Sequence, residues 1–381
     1  MNLIKRFLSM GCLLGLLVTS VAGQEMPIPS PPSLNSKGYL LIDHKTGFVL
    51  AGNRADEVLE PASITKLMTA YVVFKELANG NIQLSDQVTI SEKAWRTPGS
   101  RMFVEVGKQV PVELLLQGMI IQSGNDASVA LAEHIAGSEQ TFAAMMNQYA
   151  HSLGMIQSQY VNSTGLPDSE HYTTASDIAR LAAAIIDEFP QYYQWYSQKS
   201  FKYNDIEQHN RNRLLWRDGS VDGLKTGYTE NAGYCLVSSA KRGDMRLISV
   251  VLGAPNEKSR TDSSQALMNY GFRFFETYRL YEAGKQIESA KVWKGESDNA
   301  SIGLKQDLYV TVPRGQYEKL NLSMDISTAL VAPVTTEQTL GNMRVSMNGE
   351  VVAQAPLFAL KPVPSGGLLR RMTDEVRLWF E

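Results

Sequence analysis

The sequence feature that most constrains the fold is a set of three short polar motifs that lie far apart along the chain. Ser63-Ile64-Thr65-Lys66 opens an apolar helical run, Ser123-Gly124-Asn125 comes next, and Lys225-Thr226-Gly227 precedes a return to strand-like residues. Residues three apart on a helix share one face, so Ser63 and Lys66 are expected to be neighbours. A fold that uses all three motifs must bring a helix start, a loop and a strand to one place.

The residue types in these motifs indicate nucleophilic catalysis. A serine hydroxyl is a poor nucleophile until a base takes its proton, and Lys66 is the candidate base for Ser63. Lys66 must be neutral for this role, and both burial and a nearby cation, for which Lys225 is a candidate, lower the pKa of a lysine. Ser123 is a candidate proton relay to the leaving nitrogen, and Asn125 is expected to hold Lys66 and the substrate amide. The unpaired backbone N–H of Ser63 at the helix start is a candidate donor to an oxyanion.

The third motif predicts how a substrate is held. A strand edge at Lys225–Gly227 can pair with an extended peptide. Lys225 and Thr226 suit a carboxylate, and Gly227 lets a substrate backbone come close because it has no side chain. The residues alone therefore predict a serine acyl-transferase or hydrolase acting on a small acidic peptide.

Each motif also occurs a second time, in a setting that does not suit catalysis. Ser238-Ser239-Ala240-Lys241 lies in an apolar strand pattern, where residues three apart point to opposite faces. Lys45-Thr46-Gly47 lies between two short strand patterns and predicts a hairpin turn. Ser297-Asp298-Asn299 lies in a polar stretch of the later, β-rich part. The alternative, that all the motifs are chance matches in a binding protein, is disfavoured by their order and settings.

The N-terminus has the pattern of a secretory signal peptide over residues 1–23. Lys5-Arg6 is followed by an apolar segment from Phe7 to Val18 and by small residues, with cleavage expected near Ala22 or Gly23. A retained anchor is the alternative, but the apolar run falls short of the roughly 20 residues that a spanning helix needs. The sequence therefore predicts export.

Composition excludes several classes of function. The formal net charge of −3 gives no reason to expect a nucleic-acid partner. Cys12 lies in the signal peptide, so Cys235 is left without an intramolecular disulfide partner and is expected to be buried and inert. Neither a metal-binding His/Cys cluster nor a glycine-rich phosphate loop is present, and we predict no metal and no cofactor.

The chain length allows two domains, and the pattern predicts an α+β fold. We expect a leader over 24–36, a catalytic domain over 37–284 with one antiparallel sheet and a helical cluster, and a β-rich domain over 285–363. The helices of the first domain are predicted at about 63–79, 111–122, 126–136, 139–153, 175–187 and 258–277. Its strands are predicted at 39–43, 48–51, 233–240 and 245–254.

Residues 364–381 form the last predicted segment, an amphipathic helix. Its apolar face comprises Leu368, Leu369, Met372, Val376, Trp379 and Phe380, and its charged residues are Arg370, Arg371, Asp374, Glu375 and Arg377. This pattern favours attachment to a membrane surface, because the segment is too short and too charged to span a bilayer. A helix docked on the β-rich domain is the alternative, which the uncoupling effect of Gly366-Gly367 disfavours.

The chain resembles the low-molecular-mass penicillin-binding proteins, and among them the D-alanyl-D-alanine carboxypeptidases of the Gram-negative periplasm. The three motifs are those of this superfamily. Further resemblance lies in Gln122–Ala127, His209–Trp216, Asp222–Gly227 and Tyr270–Glu276. The resemblance covers nearly the whole mature chain. It implies a β-lactamase/transpeptidase-like domain, removal of the terminal D-alanine from peptidoglycan pentapeptides through an acyl-enzyme on Ser63, and covalent inhibition by β-lactams.

The resemblance also assigns roles to residues outside the three motifs. It implies that Arg211 helps to bind the terminal carboxylate, a role for which Arg213 is the alternative. It implies that the backbone N–H of Tyr228 is the second oxyanion donor, although relatives often carry histidine or a small polar residue there. Residues 94–103 resemble the loop beside the active site, where Arg101 is a further candidate.

Alternative functions are a D,D-endopeptidase, a β-lactamase and a non-catalytic cell-wall scaffold. A lactamase needs a water-activating group, and no clear glutamate motif for one lies between the second and third motifs, although Glu170 and Glu188 are present there. We expect peptidoglycan and β-lactams as partners and the periplasmic side of the inner membrane as the location, with peripheral attachment and a possible homodimer.

Overall fold

The computed structural model of the protein describes residues 28–327 and 330–379. The predicted signal peptide lies outside these residues, and so does the start of the predicted leader. The rest of the leader contains no helix or strand and lies against the body of the protein. The hydroxyl of Tyr270 donates a hydrogen bond of 3.2 Å to the carbonyl of Pro29, and that of Tyr39 one of 3.4 Å to Pro32.

Residues 28–274 form a large domain around an antiparallel sheet. The strands of this domain are β1 (Gly38–Asp43), β2 (Val49–Asn53), β3 (Gln87–Thr89), β4 (Gln109–Pro111), β5 (Ser200–Tyr203), β6 (Ile206–His209), β7 (Val221–Thr229), β8 (Gly233–Arg242) and β9 (Met245–Ala254). The central sheet has the order β2-β1-β9-β8-β7, so the N-terminal hairpin pairs with the later strands, as predicted. The pairs β3–β4 and β5–β6 are separate two-stranded ribbons.

Helices cover both faces of this sheet. They are α1 (Lys66–Ala78), α2 (Glu92–Arg96), α3 (Val112–Gln117), α4 (Asn125–Ala136), α5 (Glu139–Ser152), α6 (Ala175–Glu188), α7 (Pro190–Tyr193), α8 (Leu214–Arg217) and α9 (Glu257–Phe274). Successive strand residues point to opposite faces, and both faces are buried. Leu40 and Val250 pack into the core that contains α1, α4 and α6, whereas Leu41 and Val251 pack into the core that contains α9.

The predicted helices are all present, and two of them end differently. The predicted helix at 258–277 stops at Phe274, and Phe275–Tyr281 is a strand, because its aromatic and β-branched residues pair with a strand of the next domain. The predicted helix at 111–122 contains a π turn over Gly118–Gln122. Gly118 lies against Met102, whose sulfur would be only 2.5 Å from an added Cβ, so the absence of a side chain allows this close contact.

The remaining strands form a small β domain, as the alternating pattern predicted. They are β10 (Phe275–Tyr281), β11 (Gln286–Trp293), β12 (Asn299–Gly303), β13 (Leu308–Pro313), β14 (Leu320–Ile326), β15 (Leu330–Val331), β16 (Thr339–Met347) and β17 (Glu350–Ala359). β10 pairs with β13, and the larger sheet has the order β14-β16-β17-β12-β11-β15. The predicted hairpin turn between β16 and β17 is confirmed, with positive φ angles at Asn348 and Gly349.

A final helix, α10 (Leu368–Leu378), is held against the small domain by its polar face. The carboxylate of the buried Asp374 accepts a hydrogen bond of 2.7 Å from the backbone N–H of Lys294, and Glu375 pairs with the Lys294 ammonium. Arg370 pairs with Asp298. The expectation that the glycine pair uncouples this helix is wrong, because the N–H of Gly366 also bonds to the Lys294 carbonyl at 2.8 Å. Among the described helices, none is long and apolar enough to cross a bilayer.

A buried carboxylate joins the large domain to the ribbon that starts the small domain. Asp43, which is fully buried, accepts hydrogen bonds from Thr46 in the β1–β2 turn and, at 2.7 Å, from the hydroxyl of Thr277 in β10. The hydroxyl of Thr311 in β13 lies 2.7 Å from that of Thr46 and 3.0 Å from that of Thr277. This cluster fixes the β1–β2 hairpin against the β10–β13 ribbon.

Replacing Asp43 by alanine is expected to lower the free energy of unfolding by about 3 kcal/mol, because the partners of a buried carboxylate lose their acceptor. Urea denaturation followed by circular dichroism measures this loss. Asp244→Ala is the matched control, because Asp244 is an exposed turn residue and its removal is expected to cost less than about 0.5 kcal/mol. Equal losses in the two variants would contradict the assignment of Asp43 to this contact.

Candidate active site

The three sequence motifs meet at a cavity of about 590 Å³ in the large domain. Ser63 comes from a 3₁₀ turn, Ala62–Thr65, that leads into α1, and Asn125 is the first residue of α4. Thr226 and Gly227 come from β7, the edge strand of the central sheet. Helix start, loop and strand therefore converge, as the motifs require.

The second copies of the motifs lie where their settings predicted. Ser238 and Lys241 are both in strand β8, and Lys45–Gly47 forms the turn between β1 and β2. Ser297 and Asp298 lie between β11 and β12 of the small domain, and Asn299 is the first residue of β12. None of these residues lines the cavity.

The turn that carries Ser63 is held in place by a buried histidine. The Nε2 atom of His171 lies 2.8 Å from the hydroxyl of Thr65, and its Nδ1 accepts a hydrogen bond from the N–H of Val161. Burial lowers the pKa of His171 to about 4, so the ring is neutral near pH 7 and Nε2 carries its proton. His171 thus anchors the turn and does not supply a charge.

The amine of Lys66 lies among three oxygen atoms. Its Nζ is 3.0 Å from Ser63 Oγ, 2.7 Å from Asn125 Oδ1 and 2.6 Å from the carbonyl oxygen of Thr164. The amide and carbonyl oxygens can only accept hydrogen bonds, so they hold two of the amine protons. When Lys66 is neutral, its lone pair therefore faces the Ser63 hydroxyl, which is the geometry that proton abstraction requires.

Burial and a neighbouring positive charge lower the pKa of Lys66, so a substantial fraction of the amine is neutral near pH 7. Lys66 is only 1% exposed, and its pKa is lowered to about 7, first by burial and second by the positive charge of Arg211. The sequence suggested Lys225 as the nearby cation; the structure adds Arg211, whose charge lowers the pKa of Lys66, and it also places Lys225 close enough to interact with Lys66. Lys225 is itself buried, and burial together with the charges of Lys66, Arg211 and Arg260 holds its pKa well below the usual value.

The second motif is ordered by its own backbone and by the neighbouring loop. The side-chain nitrogen of Asn125 donates to the carbonyl of Pro98 at 2.6 Å, which turns its oxygen toward Lys66. Ser123 is buried with a left-handed backbone, φ 71°. Its hydroxyl has no hydrogen-bond partner within the described part of the chain, so it is free to bond to a bound molecule.

The third motif lies directly against the Ser63 turn. A Cβ added to Gly227 would lie 3.1 Å from the backbone nitrogen of Ser63 and 3.0 Å from the carbonyl oxygen of Pro61. The absence of a side chain at Gly227 thus lets strand β7 lie close to Ser63. The sequence had predicted a different reason for this glycine, the close approach of a substrate backbone. The amine of Lys225 donates to the carbonyl of Thr226 at 3.0 Å.

Arg211 and Arg213 both line the cavity, and their surroundings separate them. Arg213 pairs with Glu257, with a distance of 3.4 Å between its Nε and the carboxylate. In the described residues Arg211 has neither an ion pair nor a side-chain hydrogen bond. Burial lowers the pKa of Arg211, but the usual pKa of an arginine is so high that the guanidinium stays charged. Arg211 is therefore the cation available to an anionic ligand.

The outer wall of the cavity contains the other predicted residues. Tyr228 is half exposed and its ring lies 4.3 Å from that of Tyr234. Gly99 and Ser100 of the predicted loop line the cavity, whereas Arg101 does not. Neither Glu170 nor Glu188, the glutamates considered for a lactamase, lines it.

Sequence reasoning missed Thr164 and Arg260. Thr164 contributes only a carbonyl, and any residue could supply that group; the one sequence signal is the following Gly165, where an added Cβ would lie 1.8 Å from the Ala62 carbonyl oxygen. Arg260 of α9 donates to the carbonyl of Gly227 at 3.2 Å and lies over the ring of Tyr234. It belongs to no motif, so it became visible only when α9 was placed beside β7.

Comparison with known proteins agrees with this architecture. Residues 25–256 match the family described as D-alanyl-D-alanine carboxypeptidase, and residues 275–365 match the C-terminal domain of penicillin-binding protein 5. The chain is 41% identical to D-alanyl-D-alanine carboxypeptidase DacA of Escherichia coli over 93% of its length and 90% of the relative's. It is 42% identical to DacC of the same organism over 92% and 89%.

Among solved structures, the crystal structure of penicillin-binding protein 5 from Haemophilus influenzae is 39% identical in sequence. The match covers 88% of this chain and 100% of that chain, with a TM-score of 0.84. These matches extend over both domains and confirm the resemblance seen in the motifs: the chain belongs to the D-alanyl-D-alanine carboxypeptidase family.

Proposed function

We propose that this protein is a serine-type D-Ala-D-Ala carboxypeptidase that removes the terminal D-alanine from peptidoglycan stem pentapeptides. The observation that carries the proposal is the position of the Lys66 amine, 3.0 Å from Ser63 Oγ and oriented by two fixed acceptors. Family membership supports the same activity. The chemistry needs no metal, because the activated serine itself attacks the peptide.

In the proposed reaction, neutral Lys66 takes the proton of Ser63 as Oγ attacks the carbonyl of the penultimate D-alanine. The backbone N–H groups of Ser63 and Tyr228 donate to the oxyanion, and Ser123 passes the proton to the leaving nitrogen. The terminal D-alanine leaves with that proton, and an ester remains on Ser63. Water then hydrolyses the ester and regenerates the serine. The free hydroxyl of Ser123 and the close approach of β7 to Ser63 support these assignments.

Positive charge around the cavity supports a substrate with a free carboxylate. In this proposal the carboxylate of the terminal D-alanine bonds to Thr226 and to the guanidinium of Arg211. Asn125 holds the substrate amide. A β-lactam also presents a carboxylate beside a reactive amide, so it is expected to acylate Ser63 at the same position.

The first test is D-alanine release from a pentapeptide that ends in D-Ala-D-Ala. The Ser63→Ala variant is expected to lower release by at least about 10³-fold, because the nucleophile is lost. Ser238→Ala is the matched control: it removes a buried hydroxyl from the second S-x-x-K sequence and is expected to retain activity. Release by Ser63→Ala at the wild-type rate would exclude Ser63 as the nucleophile.

Other results of that test would favour other enzymes of the superfamily. A folded wild type that cleaves cross-linked peptides without releasing D-alanine would be an endopeptidase. Rapid turnover of penicillin would indicate a β-lactamase. A protein that neither reacts with labelled penicillin nor releases D-alanine would be a scaffold.

The second prediction concerns pH. The pKa of Lys66 is about 7, and only the neutral amine accepts the serine proton, so kcat/KM is expected to rise with pH through this value and to fall below it. Arg211→Gln removes the charge that lowers this pKa, so the acidic limb should move to higher pH. The kcat/KM profile at constant ionic strength measures both effects.

Arg213→Gln is the control for the pH experiment. Arg213 is two residues away and pairs with Glu257, which offsets its charge, so its removal is expected to leave the limb in place. An equal displacement of the limb in both variants would contradict the role of Arg211. A profile without an acidic limb near pH 7 would contradict the role of Lys66.

We propose that helix α10 attaches the exported enzyme to the periplasmic surface of the inner membrane. The polar face of α10 is occupied by contacts to the small domain, so its apolar side chains point outward: Leu368, Leu369, Met372, Val376 and Trp379 are 55–82% exposed. An apolar helix face beside arginines suits the boundary between lipid headgroups and acyl chains.

The variant Leu369→Glu/Met372→Glu is expected to lose binding to vesicles of phosphatidylethanolamine and phosphatidylglycerol, because each change places a charge on the apolar face. Co-sedimentation of the mature protein measures binding, and deletion of residues 366–381 should have the same effect. Leu322→Glu is the control, since Leu322 is an exposed apolar residue on the small domain, away from α10. Unchanged binding by the double variant would refute attachment through this face.

A further inference from the structure

The loop that carries Arg211 is held by the two residues that flank it. Asn210 and Asn212 are 4% and 1% exposed, whereas Arg211 between them faces the cavity. This stretch lies between β6 and α8 and has no regular secondary structure. Its conformation is therefore set by the hydrogen bonds of the two asparagines and not by a helix or a sheet.

Asn210 ties the loop to the segment that precedes β5. Its side-chain nitrogen donates to the carbonyls of Gln198 at 3.0 Å and Tyr196 at 3.3 Å. Its side-chain oxygen accepts from the backbone N–H of Asn212 at 2.9 Å. The backbone on both sides of Arg211 is thus closed into a tight turn.

Asn212 ties the same turn to the strand of the third motif. Its side-chain nitrogen donates to the carbonyl of Gly223 at 2.9 Å, and its side-chain oxygen accepts from the N–H of Leu214 at 3.1 Å. Gly223 lies two residues before Lys225 in β7, where the pairing with β8 is irregular. The side chain of Asn212 thus bonds directly to the backbone of β7 just before the third motif.

We infer that Asn212 is a positioning residue that sets the distance between Arg211 and the Lys225–Thr226 strand. The inference rests on the proposed function, in which the terminal carboxylate of the substrate bonds to both. An arginine side chain is long, so the place of its guanidinium depends on where its backbone is fixed. The side-chain amide of Asn212 bonds the Arg211 loop directly to β7. It therefore fixes the position of Arg211 relative to Thr226, the two groups that bind the carboxylate in the proposed function.

The test compares two substrates, a peptide that ends in D-Ala-D-Ala and its C-terminal methyl ester. The ratio of their kcat/KM values measures how strongly the enzyme selects a free carboxylate. Asn212→Asp keeps the acceptor for Leu214 but places an oxygen against the Gly223 carbonyl. It is expected to lower the ratio of acid to ester at least about tenfold, because the hydrogen bond to the strand is lost. Most of this fall should come from a higher KM for the peptide with the free carboxylate. Arg211→Gln should lower the ratio similarly, and adding Asn212→Asp to it should lower it no further.

Asn147→Asp is the matched control. Asn147 also donates to and accepts from backbone groups, both of Tyr160 and both at 2.8 Å, but it lies outside the Arg211 loop and outside the cavity lining. It is expected to leave the ratio unchanged even if it lowers both kcat/KM values. Circular dichroism confirms folding, and Asn212→Ser, which is too short to reach Gly223, replaces Asn212→Asp if the latter does not fold.

Three results would overturn the inference. One is an unchanged ratio in Asn212→Asp while Arg211→Gln lowers it, which would give Asn212 a role in stability only. Another is a further tenfold fall on combining the two changes, which would mean that they act independently. The third is a wild type with no D-alanine release, which would overturn the proposed function and the inference together.

Discussion

The active site depends on one buried amine and the atoms that surround it. Lys66 emerges from the first turn of α1 into a place where Ser63, Asn125 and the carbonyl of Thr164 all lie within 3.0 Å of Nζ. Burial removes the solvation that would keep the ammonium charged, and Arg211 adds a repulsive charge. The two oxygens that cannot donate fix the amine protons. The neutral amine then directs its lone pair at the serine hydroxyl, as the proposed base must.

The rest of the large domain holds the partners of Lys66 in place. Close contacts at two glycines bring separate segments against the Ser63 turn: Gly227 from the edge strand and Gly165 from the loop that presents Thr164. A side chain at either position would push the strand or the loop away from the Ser63 turn. Arg260 and Asn212 bond to the carbonyls of Gly227 and Gly223, so β7 is tied at two points. Backbone contacts therefore fix the segments that surround these side chains.

In the small domain and α10, hydrogen bonds of buried carboxylates set how the elements are oriented against one another. Asp43 bonds across from the large domain to Thr277, and Asp374 bonds α10 to the backbone of Lys294. A buried carboxylate is costly unless its oxygens are bonded, so each of these contacts favours one arrangement. For α10 this arrangement leaves the apolar side chains outward, which is the reverse of an ordinary surface helix.

Several features of the fold and site were readable in the sequence for clear physical reasons. Periodicity gave the antiparallel sheet, the helices of the large domain and the β-rich second domain. The boundary at Phe274 was misplaced, because the apolar residues that follow suit a helix and a strand equally and only pairing with β13 decides between them. The choice of Arg211 over Arg213 rested on resemblance, and only the ion pair of Arg213 with Glu257 gave it a physical basis.

The sequence by itself was enough to predict the chemistry, because the types and spacing of Ser63, Lys66, Asn125 and Lys225 permit serine acyl transfer. It also determined that the tail is amphipathic. Only the tertiary structure decided that Arg211 acts on Lys66, which carbonyl orients Lys66, and which face of the tail remains exposed. Electrostatic interactions depend on distances between residues that are remote in the chain, and a backbone carbonyl is common to every residue. Neither of these features can be read from the order of residues in the sequence.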